Sequence, residues 1–212
     1  MAASTDRFPT GLRFLDKQLG GGLIPGGMLA LTSPPQSQAE LLFQEFARER
    51  PLRYVSVMSP DEAELREIID PAGDGTVDVD VAYHDPDTVL ADPEAFAAEL
   101  PGDAYVVIDA VNGLERAPAE TYLAFLNAVK RRMREGNGFA VIHCLKEEPA
   151  PDNRALTLKR ADHVWDLRVS VDSSDISTVL CITKSRENQI LAEPLPLELS
   201  DEVRIDTSRT IA

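Results

Sequence analysis

A chain of 212 residues that is 43% hydrophobic is long enough to bury a sizeable core, and no linker or charge block divides it, so it reads as a single domain, 1–212, with a core over about 8–190 and an extended C-terminal segment at 191–212. Its 36 acidic against 21 basic residues give a net charge of −15, and sixteen arginines face five lysines. That excess repels nucleic-acid phosphates in ordinary salt and suits solubility in concentrated salt, so a halophilic cytoplasm is expected. No charged and apolar leader opens the chain and no run approaches ~18 apolar residues, which predicts a cytoplasmic protein without a membrane span.

In chain order, Thr10-Gly11-Leu12 and Leu15-Asp16 predict a short helix, and the glycine run Leu19–Gly27 leads to an apolar strand at Met28–Thr32. A loop follows, Ser33-Pro34-Pro35-Gln36-Ser37-Gln38-Ala39-Glu40, and then Ala39, Leu42, Phe43 and Phe46 fall at i, i+3, i+4, i+7 on one helix face. Ser37 and Glu40 have the S-x-x-E spacing of a capping box, in which Ser37 accepts from the N3 amide and Glu40 returns to the cap amide. On that expectation the orphan amides of the helix start are satisfied by the chain's own oxygens. Tyr54–Met58 predicts the next strand, and Asp61, Glu62 and Glu64 read as the acidic first turn of a helix, where carboxylates favour the dipole.

Further strands are predicted at Val77–Ala82, Tyr105–Asp109, Phe139–Cys144, Val164–Val171 and Thr178–Lys184. The last two flank Asp172-Ser173-Ser174-Asp175, the composition of a hairpin turn, while Pro194 and Pro196 favour an extended edge segment. Between strands, Ala119–Arg134 has helical period, and Lys130, Arg131, Arg132 and Arg134 are expected to form a solvated, cationic helix end. Apolar runs alternating with helical segments argue for an α/β fold with a mainly parallel sheet covered on both faces. Cys144 and Cys181 lie in apolar runs and read as buried small side chains, and His84, His143 and His163 are scattered, so no metal site is expected.

The order short helix, glycine run, Pro25-Gly26 turn, buried strand, loop and amphipathic helix resembles the opening of RecA/KaiC-like P-loop ATPases. The likeness continues at Tyr105–Asp109, an apolar strand ending in a carboxylate as in a Walker-B strand, and at Thr183-Lys184-Ser185-Arg186. It covers about residues 8 to 190 and implies a RecA-like three-layer fold with a C-terminal β-hairpin. A working phosphate loop needs G-x-x-x-x-G-K-[ST]. Here Ser33 and Gln38 stand at the two glycines, Ala39 at the lysine and Glu40 at the hydroxyl, with Gln36 and Ser37 between. Losing a lysine ~4 Å from a phosphate removes about 4 kcal/mol at an effective dielectric near 20. The family commonly follows the second strand with two glutamates, one of which positions the attacking water; Met58 and Ser59 occupy those places. Lys184 and Arg186 match the Lys-x-Arg that reaches a neighbour's γ-phosphate in assembled rings, against a plain reading as exposed strand-end cations.

The leading expectation is therefore a non-catalytic, regulatory or accessory domain, without a cofactor, that binds a protein partner such as an active paralogue or another copy of itself. One alternative is a weak Mg-ATP-binding enzyme whose Mg²⁺ is held by Asp109 and Glu40. A third is a recombinase-type DNA-binding module using Lys146, Arg154, Lys159 and Arg160.

Overall fold

The computed structural model describes residues 7–73, 76–171, 176–186, 193–199 and 203–205. Its elements run α1 (Arg13–Gln18), β1 (Met28–Ser33), α2 (Glu40–Glu49), β2 (Leu52–Ser56), α3 (Glu62–Ile69), β3 (Val79–Tyr83), α4 (Pro86–Ala91), α5 (Pro93–Glu99), β4 (Tyr105–Asp109), a 3-10 turn (Leu114–Arg116), α6 (Ala119–Gly136), β5 (Phe139–Leu145), α7 (Arg154–Arg160), β6 (His163–Val171), β7 (Ile176–Ser185), β8 (Leu195–Leu199) and β9 (Val203–Ile205). The strands form one sheet in the order β3-β2-β4-β5-β1-β6-β7-β8-β9. Strands β1 to β6 pair in parallel and β6 to β9 antiparallel.

Side chains alternate across a strand, so each apolar run feeds two cores. Leu29, Leu31, Tyr105, Val107, Phe139 and Val141 join one face with Phe43 and Phe46 of α2. Met28, Val106, Ile108, Ala140 and Ile142 join the other with Tyr122, Phe125, Leu126, Val129 and Met133 of α6. The expected α2 face of Ala39, Leu42, Phe43 and Phe46 is buried throughout. Asp61 caps α3 by accepting from the Glu64 amide at 3.1 Å, as the acidic helix start predicts. The glycine run serves a backbone contact: Phe8 bridges Leu23, and a Cβ on Gly22, whose φ is +121°, would stand 2.2 Å from the Phe8 carbonyl oxygen.

The expected C-terminal hairpin is present as β6–β7, and β8 and β9 extend the antiparallel part of the sheet beyond it; its turn, 172–175, lies outside the described residues. Pro196 is in β8 rather than on the outermost strand, but β9 pairs only with Leu197 to Leu199, so the proline sits where β8 has a neighbour on one side alone. Lys130 is not solvated: it is 3% exposed, its Nζ 2.8 Å from Asp162 Oδ2 and 2.8 Å from the Arg160 carbonyl oxygen. The loop between α7 and β6 covers that end of α6 and supplies the carboxylate.

His163 opens β6 almost fully buried, and burial first, opposed by the Asp162 charge and assisted by the nearby cations Arg186, Lys130 and Lys184, lowers its pKa from 6.5 to about 4. The folded state therefore refuses a proton that the unfolded chain accepts. Stability is full above about pH 6.5 and is lost as pH falls towards about 4. The expected loss is on the order of 3 kcal/mol over that window, and urea denaturation at pH 7, 5.5 and 4.5 should show it in the wild type and a flatter dependence in His163→Gln.

Candidate functional site

The carboxyl ends of β2, β4, β5 and β1 lie side by side in the sheet, and each brings a polar side chain to the face beneath α2. Tyr54 lies two residues before the end of β2, Asp109 ends β4, His143 lies two residues before the end of β5, and Ser33 ends β1. Period two puts Asp109 on the face of Tyr105 and Val107, His143 on that of Phe139 and Val141, and Ser33 on that of Leu29 and Leu31. They form one hydrogen-bonded row. The Tyr54 hydroxyl donates to Asp109 Oδ2, His143 Nδ1 bonds Asp109 Oδ1, and His143 Nε2 stands 2.8 Å from Ser33 Oγ.

Burial by itself would raise the Asp109 pKa; the neighbouring His143 charge and the hydrogen bonds from His143 and Tyr54 outweigh it and hold the carboxyl below its ordinary value. Tyr54 is pushed far up, by burial first, then by the Asp109 charge and hydrogen bond, and then by the Glu40 charge. It stays a donor across the physiological range. Phe43 of α2 closes the row from above, its ring 5.2 Å from that of His143 and 6.1 Å from that of Tyr54. Nδ1, facing the ionised Asp109, is the nitrogen that carries a proton; in the neutral ring Nε2 then accepts from Ser33, and in the charged ring it donates to it.

That donor order is the one found in Ser-His-Asp nucleophiles. Ser33, however, is 0% exposed, so in this arrangement no acyl group can approach Oγ. The row ties four strands together at the point where the β1–α2 loop leaves the sheet.

The loop itself departs from the capping-box expectation. Helix α2 begins at Glu40 with Ala39 as its N-cap in helical geometry, and no side chain caps it. The Ser37 amide turns back to the Pro34 carbonyl at 3.1 Å, which directs Ser37 into the loop instead of onto the helix start. Gln38 has φ +51°, the left-handed region, at the place where a phosphate loop carries its second glycine. Gln36 is exposed, Ser37 and Ala39 are buried, and Glu40 is half-buried in the first turn. Glu40 is close enough for its charge to act on Tyr54.

The other expected residues lie elsewhere. Met58 is exposed just past β2, where Ser56 Oγ accepts from the Met58 amide at 3.3 Å and from the Ser59 amide at 3.0 Å, so neither position carries a base. Lys184 and Arg186 sit at the amino edge of the parallel strands, opposite the β1–α2 loop, because β7 runs antiparallel and Lys184 pairs with Val164. Lys184 is not a free strand-end cation: Nζ donates to the carbonyls of Leu158 (3.0 Å), Lys159 (3.0 Å) and Ala161 (2.6 Å), closing the end of α7. Arg186 Nη1 holds Asp162 Oδ1 at 2.7 Å, with its side chain 54% exposed.

In the segment proposed for DNA, Lys146 Nζ is 2.6 Å from Asp166 and Arg154 grips the buried Glu115 through Nε and Nη2. Arg160 bonds Asn127 Oδ1. Those three side chains are engaged within the fold, which argues against a phosphate-binding stripe. Sequence reasoning missed His143 and Tyr54. The available signal was a polar residue on the buried face near the carboxyl end of each of four apolar strands.

A family model described as a family of unknown function (DUF7125) matches residues 7–212. No curated protein matches the chain. Among solved structures, a KaiC-like protein from the hyperthermophilic archaeon Pyrococcus horikoshii OT3 superimposes with a TM-score of 0.71 at 16% identity, over 94% of this chain and 98% of that one. The fold is thus RecA/KaiC-like, a three-layer α/β architecture with a mostly parallel sheet and C-terminal antiparallel strands. No helix among the described residues is long and apolar enough to cross a membrane.

Two outcomes test the site. Asp109→Asn should cost about 2 kcal/mol at pH 7 by weakening a charge-assisted pair. Because the folded carboxyl titrates below 3.8, its contribution is present above that pH and lost as pH falls through the folded value, so the variant's acid unfolding should be shallower below pH 4. Gln38→Gly should raise stability by about 1 kcal/mol in urea melts by relieving the left-handed strain, whereas Gln38→Val should lower it.

Proposed function

Because the chain belongs to DUF7125, a family of unknown function, its role is read from its own residues, and we propose that it is a non-catalytic RecA/KaiC-like domain that regulates or assists another protein by binding it. The observation that carries this reading is the engagement of Asp109. Both of its carboxylate oxygens hold hydrogen bonds from the chain, one from His143 and one from Tyr54. A Walker-B-like carboxylate in that state has part of its acceptor capacity already committed to the row that also anchors Ser33.

The loop adds to the argument. In the places of the phosphate-loop lysine and hydroxyl stand Ala39, whose methyl is buried, and Glu40, whose charge acts on Tyr54 next to the row. A nucleotide's β- and γ-phosphates would meet a carboxylate there and no cation, a change of sign at the point of strongest attraction. We read the loop as a degenerate Walker A motif and the domain as a pseudo-ATPase.

On this proposal the partner is a protein, an active paralogue of the same fold or a second copy of this chain. Of the two cations expected to act in trans, Arg186 is the one that retains exposed N–H groups, since every Lys184 ammonium proton has a carbonyl acceptor.

Titration calorimetry with Mg-ATP in concentrated KCl tests the proposal. The expected result is no binding in the micromolar range and no phosphate release. Micromolar binding that Asp109→Ala abolishes would overturn it in favour of an ATP-binding protein that uses Asp109 and Glu40. A companion measurement, purification from the native host, should find the chain with a P-loop ATPase or as a defined self-oligomer; a solitary monomer would count against a partner-binding role.

A further inference from the structure

At the amino edge of the sheet, away from the β1–α2 loop, a pocket of about 140 Å³ opens between the turn Ile24–Gly27, the last turns of α6 and the start of β6. Its charged lining is Arg134, Asp162 and Arg186, with His163 on the wall. The volume is several times the roughly 30 Å³ of one liquid water, enough for a small ion with part of its hydration shell.

The charges around it do not balance. Asp162 is the carboxylate of the cluster and both its oxygens are engaged: Oδ1 with Lys130 at 2.9 Å and Arg186 at 2.7 Å, Oδ2 with Lys130 at 2.8 Å and the Met28 amide at 3.1 Å. Among the described residues two cations therefore share one anion before Arg134 is counted. Arg134 makes no hydrogen bond or ion pair among the described residues, although its neighbours on α6 do: Arg131 pairs with Glu94, and Arg132 Nε donates to the Leu100 carbonyl at 2.7 Å. Lys184 adds another positive charge nearby, and Arg186, Lys130 and Lys184 all act on the buried His163 ring. A local cationic surplus in a chain of net charge −15 is a departure that wants a ligand.

The donors match one chemistry. Arg134 and the remaining N–H groups of Arg186 offer planar forks suited to oxyanions. His163 is neutral near pH 7, and its Nδ1 lies 3.3 Å from Ser185 Oγ. A metal cation would face the surplus of like charge, and an apolar group would leave the guanidinium groups dry.

We propose that this pocket binds a small oxyanion, inorganic phosphate or a short carboxylate, between Arg134 and Arg186 within a single chain. The site shares Arg186 with the partner-binding reading given above, but its occupancy within one chain needs no second protein.

The test is a phosphate titration of the purified chain at constant ionic strength near 0.15 M, where the Debye length of about 8 Å screens the distant acidic surface. Thermal unfolding should shift upward and saturate, following ligand linkage with a dissociation constant of about 1 mM or tighter. Arg134→Gln, a change at an exposed side chain without an ion pair among the described residues, should weaken binding at least about tenfold, and Arg131→Gln should not. In the wild type, proton NMR should show the His163 pKa rising from about 4 as phosphate fills the pocket, because an adjacent anion favours the imidazolium. Lack of saturation, an equal response in Arg134→Gln, or a His163 titration indifferent to phosphate would each overturn the site.

Discussion

A carboxylate that ends a buried strand must find protons, and in this fold Asp109 finds them sideways, from the strands on either side of β4. Tyr54 of β2 supplies one hydrogen bond and His143 of β5 the other. His143 then passes its second nitrogen to Ser33 on β1, so one ionised group sets the polar order of four neighbouring strands. The cost of burying the charge is offset locally, since burial pushes the carboxyl up and its two partners bring it below its ordinary pKa. Phe43 of α2 packs against the row, so the helix after the loop and the residue before it are positioned by the same carboxylate. The β1–α2 loop is thereby fixed at both ends.

The same solution recurs at other buried acids, with different donors. Glu115 is 0% exposed and takes Arg154 through two nitrogens, while Thr157 donates to Glu115 Oε1 at 2.5 Å and lies 2.7 Å from the Tyr122 hydroxyl. Asp162 takes Lys130, Arg186 and the Met28 amide. Each is a charged pair with its lone pairs further hydrogen-bonded, the condition under which a buried ion pair is tolerated. The arginine-rich basic complement suits this use, because a planar fork can satisfy both oxygens of a carboxylate at once. The edges of the sheet nonetheless differ. At the carboxyl edge Asp109 is matched by donors of its own chain, whereas at the amino edge cations outnumber the carboxylate they surround.

Most of the strand pattern was legible in the sequence because parallel strands buried on both faces are continuous apolar runs. The observed strands fall on the expected ones with shifts of a few residues, as at β2, which begins at Leu52 and ends at Ser56, while Tyr54 to Met58 was expected. The position of Asp109 at the end of β4 was legible too. Its partners were not, since His143 lies 34 residues away and the pairing of Ile108 with Ile142 is what brings the two together. Ser37 and Glu40 illustrate a pattern that is right in spacing and wrong in geometry: the turn from Pro34 to Ser37 and the left-handed Gln38 start the helix at Glu40, too late for Ser37 to cap it. Lys130 was misjudged because a helix end that looks solvated in isolation is covered by residues some thirty positions later, at Arg160 and Asp162.

Gln38 bears on what the shape of a phosphate-loop-like turn can prove. A glutamine pays a steric penalty of roughly 1–2 kcal/mol in the left-handed region that a glycine avoids, yet the chain adopts it there. The forces available to impose that turn are at its ends: Ser33, held to His143 and buried, and Leu42, Phe43 and Phe46, packed on the sheet. With both ends anchored, the intervening residues have few paths across the gap, and the left-handed step is one that fits. The backbone route of the loop therefore follows from the packing of β1 and α2 and does not by itself testify to a phosphate. Chemistry has to be read from the side chains, and at this loop they present a buried methyl, a carboxylate and an acid row whose protons are already shared.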